Sequence, residues 1–336
     1  MDCHLLVSDL FWPASAGNGP YSGLALPALE ILLARGRRLK TPGTSLERWL
    51  AAQYRLPDAL PLAPFSLRGD GGEPGGDWWM RADPVHLKIH GDQLILADAS
   101  RLAVTPEESR DCVAALNSHF ASDGISFIAP HPERWYARTS KEPRLRTTPT
   151  SEAAGRSVET HLPQGDDGAR WRKIINEAQM LLHQQPCNET REQRGLPPIN
   201  SIWIWGPGRD RGLGASYDTV WADHPVATGL AAASGSTARP LPASGASLLE
   251  SRLVGTHLVI VKQPATAYGD LPEWRAAVEG VERAWTAALV AGLWEGALAS
   301  LTLHGLGPDY SYTSVLTRRD RLRVWRIRRP LRAYAP

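Results

Sequence analysis

Cysteine, methionine and phenylalanine are all scarce in this 336-residue chain, at three, three and four copies. Cys3, Cys112 and Cys187 are odd in number, far apart and without a C-x-x-C pair. That argues against a disulfide framework and points to a reduced, cytoplasmic protein. Long hydrophobic runs are missing too. AWTAALVAGLW stops at Glu295 and is too short to cross a bilayer, so no membrane partner is expected. The opening MDCHLLVSDL has no basic segment and is broken by Ser8 and Asp9, so no signal peptide is expected. Charge of one sign does not dominate either, because 37 basic and 35 acidic residues leave +2. The distribution is uneven, however. Arg318–Arg332 holds eight Arg and one Asp, leaving about −5 for the rest.

What is abundant is small or indole-bearing. Thirty Gly and 27 Pro imply many turns without reaching a low-complexity composition, and 13 Trp require partners for every buried indole N–H. With 43% hydrophobic residues, this length suits two domains, or one with an insertion, needing neither disulfides nor a structural metal for stability.

HLLVSDL (4–10) reads as a buried strand, and LALPALEILLARG as a helix closed by Gly36 at its C′ position, a strand–loop–helix opening that favours an α/β fold. Ser45–Tyr54 reads as a helix. His90-Gly91-Asp92 reads as a hairpin turn between two strands. Thr105-Pro106-Glu107-Glu108 carries a capping box for a helix reaching about Phe120. SFIAP and RWYAR read as strands, 139–168 as a long polar loop, 169–184 as an amphipathic helix and INSIWIWG as a strand. Ala231–Ser247 reads as a loop, HLVIVKQ as a strand and Pro272–Leu293 as one long helix. SLTLHG and RLRVWRIR read as antiparallel strands.

Several segments carry a family resemblance. INEAQMLLHQQPCNETREQRGLPPINSIWIWGPG (175–208) resembles the run from helix through H-P-x-N-x-x-R and G-x-P-P-A-N to a strand ending in G-x-G of archaeal-type cofactor-independent phosphoglycerate mutases. MRADPVHLKIHGDQLILADASRLAVTPEES is similar to that family's R-x-N-x-A-T-x-D segment, and FIAPHPERWYAR to a strand with a His-Arg pair. HLVIVKQPATAYGDLPEWRAAVEGVERAW stands where the family has V-H-x-x-x-x-D-E-A-G-H. Among bacterial proteins the chain looks most like a group called RpfE-type regulatory proteins. The resemblance implies an α/β fold with an alkaline-phosphatase-like core (1–104 and 201–336) and a smaller inserted α+β domain (105–200).

It also implies a phosphoryl-transfer site with a Ser or Thr nucleophile beside two divalent metals. The chain departs from that pattern. Asp9 is followed by Leu-Phe-Trp-Pro rather than Gly-x-Gly-Asp, Pro264–Asp270 replaces D-E-A-G-H, and no G-D-H-S-T-P segment follows residue 290. Ser22 is a weak nucleophile candidate. No G-x-S-x-G and no phosphate-cradling G-x-x-x-x-G-K occurs. Asp83-Pro84-Val85-His86 has D-x-x-H spacing, but residues 83 and 86 of a strand face opposite ways. The expectation is therefore no metal, no cofactor, no catalytic residue, and a non-catalytic regulatory or ligand-binding relative. An active phosphoglycerate mutase or phosphoesterase is the alternative.

Guanidinium and amide groups crowd the insertion: His131, Arg134, Arg138, Arg144, Arg146, His161, Asn188, Arg191 and Asn200. Such groups suit a small phosphorylated or carboxylate ligand. By resemblance, the ligand contacts are His131, Arg134, Asn188, Arg191, Asn200 and Arg209, with Gln185 replacing the His of H-P-x-N. The competing reading pairs Arg191 with Glu189 or Glu192 while Asn188 caps a turn. A protein partner fits a regulatory role. The C-terminal arginines with Trp325 offer a third reading, nucleic-acid association, but alternation along RLRVWRIR favours a charged edge strand and internal pairing instead. His4, His119, His183 and His257 lie in apolar runs and read as structural.

Overall fold

The computed structural model describes residues 1–17, 19–252, 254–262 and 268–335. In chain order its strands are β1 (Asp2–Val7), β2 (Arg37–Pro42), β3 (Trp78–His90), β4 (Gln93–Ala97), β5 (Ile125–His131) and β6 (Arg134–Thr139). They continue with β7 (Ser201–Arg209), β8 (Thr219–Trp221), β9 (Thr237–Arg239), β10 (Thr256–Val261), β11 (Ser300–Gly305) and β12 (Tyr310–Thr317). Two compact units result: Met1–Trp49 with Gly214–Pro336, and Leu50–Leu213.

The first unit is built on a seven-stranded sheet in the order β2-β12-β11-β1-β10-β8-β9. β1 pairs in parallel with both β10 and β11, and only β12 runs against its neighbours. A strand covered on both faces needs a continuous apolar run, which HLLV supplies. Cys3, Leu5 and Val7 join Val259, Val261, Leu301 and Leu303 in a core shared with the helices Pro27–Arg35 and Ala287–Glu295. Gly36 ends the first helix, but its φ of −64° is not left-handed. It is glycine because a Cβ there would lie 2.3 Å from Ser314 Oγ.

The second unit carries a five-stranded sheet, β4-β3-β6-β5 with β7 added on β3, entirely antiparallel. The helices Pro106–Phe120 and Gly168–His183 bury Phe120, Trp171, Ile175 and Leu182 in one core with Trp135 and Ile204 from the sheet. The Thr105 capping box is present with both reciprocal bonds. The hairpin turn expected at 90–92 is present too, Gly91 supplying φ +62°. Several indole N–H groups find acceptors: in this unit Trp79 on Pro74, Trp135 on Pro132, Trp203 on Thr148 and Trp205 on Asp83, and in the first unit Trp274 on Asp9.

The structure draws the insertion's limits at 50–213 rather than 105–200. The reason is β3, whose residues 78–85 are laddered to β7, so both segments go with the helices they cover. The end of the helix Pro225–Ser234 and the start of the helix Gly245–Glu250 fall within 231–247, where the sequence suggested loop, and Pro186–Gln193 forms a further helix. The long C-terminal helix is interrupted by a π-turn over Glu282–Thr286. RLRVWRIR is not a strand: β12 ends at Thr317, and turns and a short 3-10 helix follow. No helix of the described residues is long and apolar enough to cross a membrane.

Candidate functional site

The second unit holds a cleft of about 490 Å³ where the ends of β3 and β7 meet residues 142–146. Trp78 stands opposite Arg209 in register, and the Arg209 guanidinium lies 5.8 Å from the Trp78 ring centre. Gly208 lets Pro61 close one wall, since a Cβ on it would lie 2.7 Å from Pro61 Cβ. The opposite wall is strapped to β7 by side-chain bonds. Gly206 N–H donates to Thr147 Oγ1 at 3.0 Å, and Trp203 Nε1–H to the Thr148 carbonyl at 2.8 Å. Arg146 and Gln164 exchange backbone hydrogen bonds of 2.9 and 3.0 Å. Gly165, at φ +102°, brings that segment so close to the Arg144 carbonyl that a Cβ would sit 2.6 Å from it.

Within this frame, Arg144 and Arg146 both line the cleft, with buried Leu145 between them. Arg209-Asp210-Arg211 repeats the spacing from the other wall. The rim thus offers four guanidinium groups against the carboxylates of Glu142 and Asp166, over a floor of Trp78, Pro143, Leu145 and Pro207. Arg144 reaches Asp166 only at 3.7 Å, with both side chains largely in water, which makes for a weak pair. Arg146, Arg209 and Arg211 form no ion pair among the described residues. An electropositive, partly apolar cleft with uncommitted forks is suited to a small anion carrying phosphate or carboxylate.

Of the residues the resemblance nominated, only Arg209 lines this cleft. The others are engaged elsewhere. Arg134 grips Asp70 with two nitrogens at 2.7 and 3.0 Å. His131 Nδ1 accepts from the Glu133 N–H in the β5–β6 turn. Asn188 is buried and clamps Ile199 N–H, Ile199 carbonyl and Leu182 carbonyl. Asn200 does likewise to both backbone groups of Leu87. Arg191, 1% exposed, donates to Glu108, Pro197 and Leu102, so neither Glu189 nor Glu192 is its partner. Arg144 and Arg146 belonged to the sequence cluster without being selected. Trp78 and Arg211 were missed, although the two R-x-R repeats, Arg144-Leu145-Arg146 and Arg209-Asp210-Arg211, were a usable signal.

Residues that looked metal-competent are committed as well. Asp83 accepts from Arg81, Thr150 and Trp205, and His86 Nδ1 lies 2.9 Å from the Pro198 carbonyl. Arg81 also reaches Ser66, whose hydroxyl meets Tyr136 at 2.8 Å, and Tyr136 donates to Asp70. This buried chain of polar groups is fully engaged internally. His4 and His304 contact each other, His119 pairs with Glu177, and His257 receives the Trp221 N–H, whereas His183 is exposed. Asp9 follows β1 at φ +49°, its carbonyl accepting from Trp274. Pro264–Ala267 lie outside the described residues. Among the described residues no three His, Cys, Asp or Glu side chains come together as a metal-holding group. The described residues therefore offer no donor set for a two-metal centre.

The C-terminal arginines divide. Arg323 pairs with Asp320 and Arg328 with Glu30, while Arg326 donates to the Gly36 carbonyl. Trp325 stays 71% exposed beside them.

No family model matches the chain. It is 26% identical over 218 residues to a probable 2,3-bisphosphoglycerate-independent phosphoglycerate mutase of Geobacter sulfurreducens, an alignment covering 60% of this chain and 54% of that protein. It is 26% identical over 195 residues to the corresponding mutase of Methanosarcina mazei, covering 54% and 48%. The chain thus spans about half the length of the curated relatives it matches. Among solved structures, the PH0037 protein from Pyrococcus horikoshii matches 94% of this chain and 87% of its own, with a TM-score of 0.54 at 15% identity. That likeness concerns the fold, a mixed α/β architecture consistent with the alkaline-phosphatase-like class. In sequence, then, the chain is similar to cofactor-independent phosphoglycerate mutases over the greater part of its length.

Proposed function

We propose that this protein is a non-catalytic, phosphoglycerate-mutase-like regulatory protein that binds a small phosphorylated or carboxylate anion in the arginine-rimmed cleft. The single observation that carries the reading is the cleft itself: Arg146, Arg209 and Arg211 converge on one cavity without an ion pair of their own. Guanidinium forks left unneutralised above an apolar floor are stabilised when an anion with two or three oxygens joins them. The non-catalytic half rests on the sequence, in which Leu-Phe-Trp-Pro follows Asp9 and Pro264–Asp270 stands in place of D-E-A-G-H.

Calorimetry with 3-phosphoglycerate, and with inorganic phosphate as a second probe, tests the reading. Saturable binding is expected, weakened about 10-fold by Arg146→Ala or Arg209→Ala, since losing one charge-assisted hydrogen-bonded contact costs roughly 1.5 kcal/mol. Heat signals that do not saturate would remove the anion site. Turnover of 3-phosphoglycerate on adding Mn²⁺ would instead establish an active mutase.

A further inference from the structure

Two of the three cysteines meet in the second unit. Cys112, on the buried face of the helix Pro106–Phe120, lies 3.8 Å sulfur to sulfur from Cys187, in the first turn of the helix Pro186–Gln193. The same two helices are bridged a second time by the Glu108–Arg191 ion pair at 2.8 Å. Glu108 precedes Cys112 by four residues, and Cys187 precedes Arg191 by four, so each pair occupies one helix face and the two contacts form successive rungs. The buried ion-pair rung, with Arg191 also tied to the Leu102 and Pro197 carbonyls, holds the helices in fixed register and keeps the sulfurs together.

We propose that Cys112 and Cys187 are an oxidation site, closing reversibly to an intramolecular disulfide when a hydroperoxide reaches Cys187. Cys187 is half-buried, whereas Cys112 is fully enclosed, which assigns the first step to Cys187. Its thiol is held below the usual range by the hydrogen bond from Cys112, with Arg191 acting in the same direction. The helix N-terminus also favours a thiolate there. The Cys187 sulfur attacks the peroxide, forming an S–O bond as the O–O bond breaks and a water (or alcohol) departs. Cys112 then gives up its proton and attacks the Cys187 sulfur, the S–S bond forming as the S–O bond breaks and a second water leaves. Two thiols are oxidised and one hydroperoxide reduced. The sulfurs need close only from contact to about 2.05 Å. Cys3 takes no part: it is enclosed in β1, and burial pushes its thiol up to about 12. This inference is independent of the anion cleft.

The test is hydrogen peroxide on the full chain. The thiol count in denaturant should fall from three to one, with two hydrogens lost from the intact mass and a peptide joining Cys112 to Cys187. Dithiothreitol should restore all three thiols. Cys112→Ala should leave a Cys187 sulfenic acid that dimedone captures, and Cys187→Ala should give no captured product at Cys112. If a variant does not fold, the peptide map of the unaltered protein decides alone. Three thiols surviving the treatment, a disulfide between two chains in place of the internal one, or sulfinic acid at Cys187 beside a reduced Cys112 would each overturn the proposal.

Discussion

Arg191 illustrates how a residue type can be read from sequence while its direction cannot. In the segment PCNETREQRGLPPIN it resembles a ligand-binding arginine, but the fold turns it inward to Glu108 and two carbonyls. Removing it would leave the Glu108 carboxylate without its ion-pair partner and two carbonyls without the guanidinium donors. Arg191→Ala is therefore expected to cost about 3–5 kcal/mol in urea unfolding, with 3-phosphoglycerate affinity unchanged in protein that remains folded. Arg191→Lys should rescue little, because one ammonium does not reproduce a three-way fork. A stable Arg191→Ala protein with lost affinity would return the residue to the ligand role. Asn188 and Asn200 are likewise turned to the backbone, since a side-chain amide imitates a peptide group and can complete backbone pairing. Arg209 kept its candidate place because β7 ends there and its side chain emerges into the cleft. The candidate site was thus legible as a composition of arginines, not as a geometry.

Elements governed by local chemistry were the ones legible in the chain. The capping box at Thr105, the turn at Gly91 and the apolar run of β1 each express a preference that survives without tertiary help. The helix Pro186–Gln193 escaped notice because its residues are nearly all polar; buried Asn188 and Arg191 hold it rather than an apolar stripe. The helix Pro225–Ser234 has the opposite problem, small apolar residues throughout with no polar face to set a period. RLRVWRIR alternates like a strand, yet Arg326 donates to the Gly36 carbonyl and Arg323 to Arg35, so guanidinium bonds replace the ladder. The π-turn has a comparable tertiary cause. Buried Glu282 accepts from the N–H groups of Ala28 and Leu29 at 2.7 and 2.9 Å, supplying acceptors at the start of the helix Pro27–Arg35. Thr286 donates to the same carboxylate at 2.6 Å. Glu282→Ala should cost about 3 kcal/mol by leaving those donors without acceptors. Glu282→Gln, retaining one oxygen, should cost about half as much. Denaturant midpoints provide the comparison, and an Ala variant within 0.5 kcal/mol of the parent would refute the capping role.

For the molecule as a whole, the histidines decide how stability responds to acid. His304, 8% exposed in β11, lies 3.1 Å from His4 and 3.2 Å from Thr313 Oγ1 and packs against Trp49. Burial, with His4 adding to it, pushes its pKa down to about 3. The pair works only while one neutral ring donates to the other. His4, His86 and His257 are also lowered, in each case chiefly by burial. Between pH 6.5 and about 3 the unfolded chain binds protons at these positions that the folded chain refuses, so stability is present at neutral pH and lost as pH falls. Glu30 acts oppositely, since burial raises its carboxyl, but it is one group against several. His304 alone contributes about 1.4 kcal/mol per pH unit below 6.5. Urea unfolding at pH 7.0, 5.5 and 4.5, followed by tryptophan fluorescence, should show that decline. His304→Gln should flatten it by roughly the His304 share while lowering stability at pH 7. A wild-type protein equally stable at all three values, or a variant with an unaltered slope, would show that the His4–His304 contact does not govern acid sensitivity.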